Sequence, residues 1–272
     1  MLISQSMLTS PFSFILPLKD GVFSTRPKSA FSLVAIYLIC VATSWWRLRK
    51  TSALSNNLTS IKFVYNVLQI MLSSYLTLEA LFVARESGYQ IMGCNIDTPF
   101  TQRVANLYWL FYLSKILELN ETALIVAGRK WKKLSFLHIY HHAGSLLMTN
   151  MYLNVSSSYE MVPTVVVNSF VHFVIYSYYF LSMHRNKEAN RASSIWWKKY
   201  IVPLELVQFV VLLAQISAIP YTCDCSYLNG RCLWCWCIAW YLSQFAMFSA
   251  LFAKGGVRNW LSPIKIKDFS CL

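Results

Sequence analysis

Charge is scarce in this chain of 272 residues. Asp, Glu, Lys and Arg make up 13% of it, about half of the roughly 25% typical of soluble domains. With 56% hydrophobic residues and a mean hydropathy of +0.44, the shortage excludes an ordinary soluble domain and describes an integral membrane protein. The length suits a single bundle. No zinc spacing can be found among the eight cysteines, and no internal repeat is evident. The apolar patch from Phe12 to Leu18 is too short to span a bilayer, and no basic residue precedes it, which makes a poor signal peptide. Residues 1–28, with Pro11, Pro17 and Pro27, are expected to form an irregular or interfacial tail.

What the chain does have is a series of seven apolar runs. They predict membrane helices over roughly 29–46, 61–84, 104–128, 134–153, 159–182, 200–219 and 233–253, and so an all-α polytopic domain over 29–255 followed by a tail over 256–272. A net charge of +13 would point to nucleic acid in a soluble protein. Here the basic residues collect in short loops. Seventeen of them fall on one side, in clusters around Arg47, Arg129, Lys187 and Lys254, against six on the other. The positive-inside rule then puts the C-terminus in the cytosol and the N-terminus in the lumen. No nucleic-acid partner is expected.

Polar residues inside the spans are costly, so they normally face the bundle interior. His138, His141 and His142 stand at i, i+3 and i+4 of the fourth run, a spacing that predicts three imidazoles on one helix face. At 1.5 Å per residue, these histidines fall into one depth band. His172, Glu118, Glu121, Glu205, Gln208, Asn66, Gln69 and Gln244 share it, and the band lies nearer the cytosolic side. Six spans contribute to it. The expectation is a polar chamber that opens towards the cytosol.

Two chemistries fit four histidines in one layer. A His-x-x-His-His box resembles the boxes of membrane di-iron desaturases and hydroxylases, but those use about eight histidines and this chain has five. A single mononuclear metal site is the reduced form of that reading. The other is nucleophilic or acid–base work by imidazole, including a covalent acyl intermediate. Lys115, Glu118 and Glu121, at successive i+3 steps, put a cation and two carboxylates on one face, as a buried ion pair or as a support for an imidazole. Asn168, His172, Tyr176 and Tyr179 form a stripe of donors along the fifth run. A seven-span receptor or carrier is the non-enzymatic alternative.

Read together, Lys115-x-x-Glu118-x-x-Glu121-Thr122, His138-x-x-His141-His142 and Asn168-x-x-x-His172-x-x-x-Tyr176-x-Tyr178-Tyr179 resemble the signature of the ELO family of very-long-chain fatty acid elongases, over about residues 30–255. Leu134 to His142 most resembles the branch acting on saturated and monounsaturated chains. The chain departs from the family pattern at Glu121 (usually Asp), at Ile175 (usually Met) and in Val202-x-x-Glu205-x-x-Gln208-Phe209, where Thr and Gln are usual at the first two positions. It also lacks a terminal di-lysine signal in Lys265 to Leu272.

The resemblance implies seven helices around an acyl tunnel and condensation of an acyl-CoA with malonyl-CoA, with no permanently bound cofactor and no metal. It implies His141, His172, His138, His142, Asn168 and Tyr176 as catalytic residues, supported by Lys115, Glu118, Glu121 and Gln208. Arg129, Lys130, Lys133, Tyr178, Arg185 and Lys187 would hold CoA, and Cys94 would pair with Cys223 or Cys225. Trp236, Trp240 or Gln215 would limit chain length. Implied partners are membrane lipid, the reductases and dehydratase of the elongation cycle and a second copy of the chain, in the endoplasmic reticulum membrane.

Overall fold

The computed structural model describes residues 26–51, 58–90, 95, 102–155, 161–183, 196–222 and 231–255. Among them are seven long helices and no strand: α1 Pro27–Leu48, α2 Leu58–Glu86, α3 Gln102–Ala127, α4 Phe136–Val155, α5 Val162–Met183, α6 Ile201–Thr222 and α7 Arg231–Gly255. Each matches a predicted run to within a few residues. Five of them, α1, α2, α5, α6 and α7, are long and apolar enough to cross a membrane. The remaining two, α3 and α4, carry Lys115, Glu118, Glu121 and the histidine box, which lowers their hydropathy. The protein is a polytopic all-α membrane protein.

Local sequence explains where the helices start and stop. Pro27 opens α1, where its missing N–H costs nothing. Gly88, at φ +67°, follows the end of α2, and Tyr89 N–H closes back on Ala84 C=O at 2.9 Å. At the end of α3 the left-handed residue is Arg129, at φ 54°. Its own side chain bonds Val126 C=O at 2.8 Å and so helps cap the helix it terminates. Ser135 caps α4: its Oγ accepts the His138 N–H at 3.1 Å.

The packing order is not the chain order. Successive neighbours are α2, α3, α4, α7, α6 and α5, and α5 returns to α2, so six helices close a ring. Helix α1 lies outside it, against α3 and α4. One end of the ring is filled by an apolar core that includes Leu76, Val83, Val104, Leu107, Met161, Val165 and Ile216. Towards the other end the interior turns polar. Asn66, Gln69, Lys115, Glu118, His142, His172, Glu205, Gln208 and Gln244 are all buried there. At the apolar end Arg103 of α3 forks onto Glu79 of α2, at 2.5 and 3.0 Å, and reaches Glu86 at 2.5 Å.

Candidate active site

The site is built on a cavity inside the ring, bounded by α3, α4, α5, α6 and α7. His141, Lys115, Asn168 and Gln208 line it together with Ser145, Met148, Thr149, Tyr152, Phe209, Trp240 and Tyr241. Its walls are polar beside His141 and become largely apolar towards Tyr152 and Met161, where Thr164 and Tyr241 hydroxyls meet at 3.1 Å.

Lys115 is the electrostatic centre. It is 4% exposed, and its ammonium donates to Glu118 Oε1 at 2.7 Å and to Asn168 Oδ1 at 2.6 Å. Glu118 Oε1 also faces His172 Nδ1 at 3.5 Å. One cation thus links α3 to α5 and places the His172 imidazole against a carboxylate. A buried charge is tolerable only when paired in this way. Past His172 the stripe continues to Tyr176, with ring centroids 5.8 Å apart. Tyr176 OH lies 3.3 Å from Tyr65 OH of α2, which accepts a bond from Gln69 Nε2 at 3.0 Å.

The three box histidines do not share one direction, contrary to the expectation from their spacing. His138 and His142 face α3: His138 Nε2 lies 2.8 Å from Thr122 Oγ1, and His142 Nε2 lies 3.8 Å from Glu121 Oε2. His141 faces the cavity and α7, with its Nδ1 3.0 Å from Gln244 Oε1. Adjacent helical positions are about 100° apart, so 141 and 142 cannot address one neighbour. With an amide oxygen at Nδ1, that nitrogen carries the proton, and Nε2 is left with a free lone pair. The His141 ring lies nearly parallel to Trp240, centroids 6.4 Å apart. Trp240 can come so near α4 because position 144 is glycine: a Cβ there would stand 2.2 Å from the indole.

Among the described residues no three His, Cys, Asp or Glu side chains converge as metal ligands. The imidazoles are engaged with an amide, a hydroxyl and two carboxylates instead. Several buried polar atoms have no hydrogen-bond partner among the described residues, including Gln208 Oε1, Ser169 Oγ and His142 Nδ1.

The basic rim divides in two. Lys133 is half-buried, and Lys130, Lys62 and Lys198 all lie close enough to act on its charge. Burial first, then these neighbours, press its pKa down, while Glu121 opposes them. Lys198 also reaches over the Tyr178 ring, at 6.0 Å from its centroid. Arg129 is different. Its guanidinium is occupied by Val126 C=O and by Thr51 Oγ1 at 3.1 Å, which ties the end of α3 to the end of α1. Trp236 is 60% exposed on the outside of α7 and cannot limit a tunnel, whereas Trp240 lines the cavity. Arg185, Lys187, Cys94, Cys223 and Cys225 lie outside the described residues.

The roles of four residues of the site are not signalled by motif spacing. Thr122 belongs to the third-helix motif but has no evident role there. Gln244 reads only as one polar residue of a layer. Tyr37 and Tyr65 are lone tyrosines in apolar helices, and sequence gives no reason to turn them inwards.

A family model described as ELO, the GNS1/SUR4 family, matches residues 22–259. The chain belongs to the ELO family. It is 33% identical over 200 residues to a rat protein named very long chain fatty acid elongase 2, over 71% of this chain and 68% of the rat protein. Its mouse counterpart is 32% identical over 196 residues, 71% of this chain and 65% of that one. Very long chain fatty acid elongase F of Drosophila simulans is 28% identical over 261 residues, covering 93% and 94%. The match therefore spans about two thirds of the mammalian relatives and nearly all of the fly protein. Within this ELO chain, the family motifs occupy the polar end of the ring.

Proposed function

We propose that this ELO-family protein is a fatty acid elongase that condenses a long-chain acyl-CoA with malonyl-CoA, releasing CO2 and CoA and giving a 3-ketoacyl-CoA. The observation that carries the reading is the setting of His141. A neutral imidazole oriented through Nδ1 by Gln244 presents Nε2 to the cavity that the acyl chain would fill. The relatives' names supply the substrate class.

In the first half-reaction His141 Nε2 attacks the thioester carbonyl. The C–S bond breaks and CoA leaves as the thiolate, which takes up a proton. The acyl group is left on the imidazole as an activated acyl donor. In the second half-reaction malonyl-CoA loses CO2. The electron pair of the broken C–C bond becomes an enolate, whose carbon attacks the acyl carbonyl and expels the imidazole. Asn168, which lines the same cavity as His141, and His172 and Tyr176, which follow it along α5, would serve as donors for the oxyanions. Lys115 and Glu118 orient His172 and Asn168. His138, His142 and Glu121 support the box. No resident cofactor is required.

In this reading Lys130, Lys133 and Tyr178 join Lys62 and Lys198 as the binding ground for polyanionic CoA, with Arg185 and Lys187 as further proposed ligands. The chain sits in the endoplasmic reticulum membrane with its C-terminus in the cytosol, where the thioesters are. The other elongation-cycle enzymes and a second copy of the chain are its partners.

The test is malonyl-CoA-dependent elongation of a panel of acyl-CoAs in membranes expressing this chain beside His141→Ala. Product from the intact chain and none from the variant is the expected result. Product from the variant at the normal rate would remove His141 as nucleophile. No product from any acyl-CoA with folded intact protein would sink the elongase reading.

A further inference from the structure

Helix α1 stands outside the six-helix ring, yet it reaches the histidine box. Its buried stripe, Ala30, Val34, Tyr37 and Val41, is apolar apart from one hydroxyl. Tyr37, 8% exposed, places that hydroxyl 3.0 Å from Thr122 Oγ1 of α3. Thr122 Oγ1 in turn lies 2.8 Å from His138 Nε2 of α4. The His138 ring packs edge-on against His142, with centroids 4.4 Å apart. Three helices therefore meet in one line of polar atoms that ends on the box.

Counting donors gives the line a direction. Thr122 Oγ1 is the one hydrogen-bond partner of Tyr37 OH among the described residues. A buried phenol that merely accepted there would leave its own O–H unsatisfied, which costs free energy. The phenol O–H therefore donates to Thr122, and the Thr122 O–H donates to His138 Nε2. His138 is then a neutral imidazole with its proton on Nδ1 and its Nε2 lone pair occupied. It cannot compete with His141 as a nucleophile through Nε2, and its ring plane is held where His142 packs.

The geometry points to Tyr37 as a positioning residue, which acts through Thr122 to fix the tautomer and orientation of His138 and, through that ring, the seat of His142 beside the reacting His141. The inference rests on the reading of the histidine layer as the reacting centre. It assigns α1 a task that its apolar composition does not announce.

Steady-state elongation by the purified full chain, with rates per mole of monodisperse protein, tests it. Tyr37→Phe keeps the ring and removes the hydroxyl; Thr122→Val removes the middle of the relay; Thr122→Ser keeps it. Tyr37→Phe and Thr122→Val are each expected to lower kcat about three- to tenfold, the size one hydrogen bond supports, with KM for both thioesters unchanged; the melting temperature holds in Tyr37→Phe and falls in Thr122→Val, which strands the buried phenol. Thr122→Ser restores the intact rate, and Tyr37→Phe adds no further loss in the Thr122→Val chain. An unchanged kcat in Tyr37→Phe, or an effect on KM or melting temperature alone, overturns the inference while the elongase reading stands. No product from the intact chain overturns both.

Discussion

His141 Nδ1 and Gln244 Oε1, 3.0 Å apart, join the motif helix α4 to the last helix of the chain. Gln244 is fully buried, so water cannot replace the contact, and the imidazole plane follows the amide.

Replacing Gln244 with Leu leaves the Nδ1–H of His141 without an acceptor. A buried donor stranded in this way costs about 1–3 kcal/mol, so kcat is expected to fall roughly 5- to 150-fold. Glu at this position retains an oxygen acceptor and is expected to lose less. Single-turnover acylation, read as CoA release before malonyl-CoA is added, would locate the defect in the first half-reaction. A Gln244→Leu chain with normal acylation would contradict this role.

The Lys115–Glu118 pair makes a prediction about folding as well as activity. Lys115→Met leaves Glu118, 3% exposed, as an uncompensated buried carboxylate, a defect worth about 3–5 kcal/mol. Adding Glu118→Gln removes the stranded charge. The double variant is therefore expected to melt well above Lys115→Met alone in detergent while remaining inactive, since His172 and Asn168 have lost their common anchor.

At position 144 there is no room for a methyl group. Gly144→Ala would force Trp240 away from α4, at a cost of about 1–3 kcal/mol for overpacking, and would move the indole that lies beside His141. Pairing it with Trp240→Leu should recover the melting temperature. The same pair is expected to change the distribution of product chain lengths, which chromatography of the extracted acyl chains would show.

The lysines at the rim are expected to govern binding rather than turnover. Lys133→Met with Lys198→Met should raise KM for malonyl-CoA severalfold at constant kcat, and the intact chain should show KM rising with ionic strength. The pH dependence has a definite sign. Since the Lys133 pKa is lowered, its charge is present at low pH and is lost as pH rises through a value below that of an ordinary lysine. KM should therefore climb with pH earlier than free lysines would dictate. Arg129→Ala, by contrast, is expected to lower the melting temperature and leave KM unchanged, because its guanidinium is spent on Val126 and Thr51.

Seven long helices and a buried polar layer were legible because both rest on one-dimensional signals: runs of apolar residues and ionisable residues inside them. Rotation of each helix about its own axis was not. Helix α7 is apolar on nearly every side, so nothing in its sequence distinguishes inward-facing Trp240 from outward-facing Trp236. The i, i+3, i+4 spacing put His138, His141 and His142 on one broad face. The resolution between them came from two different neighbours, α3 and α7, which only packing brings to opposite flanks of that face. Tyr37 was invisible for a related reason. A tyrosine in an apolar helix reads as packing until something polar is found opposite its hydroxyl. Arg129 shows the same limit, because nothing in a basic loop residue announces that its backbone is left-handed and that its side chain also caps a helix.

The order of helices around the ring has a consequence for biosynthesis. Helices α4 and α5 are consecutive in the chain but take their main neighbours elsewhere, α4 on α3 and α5 on α2, and α7 stands between α4 and α6. The wall between α4 and α6 is thus left open until the final span is inserted. Before then Lys115, Glu118, Glu205 and the histidines form an unsealed polar seam in the bilayer, a costly arrangement in hydrocarbon. Arrival of α7 closes that seam and delivers Gln244 to His141 in the same event. A nascent chain of this protein completes its membrane seal and its reactive centre together, so a ribosome that stalls before residue 231 leaves neither.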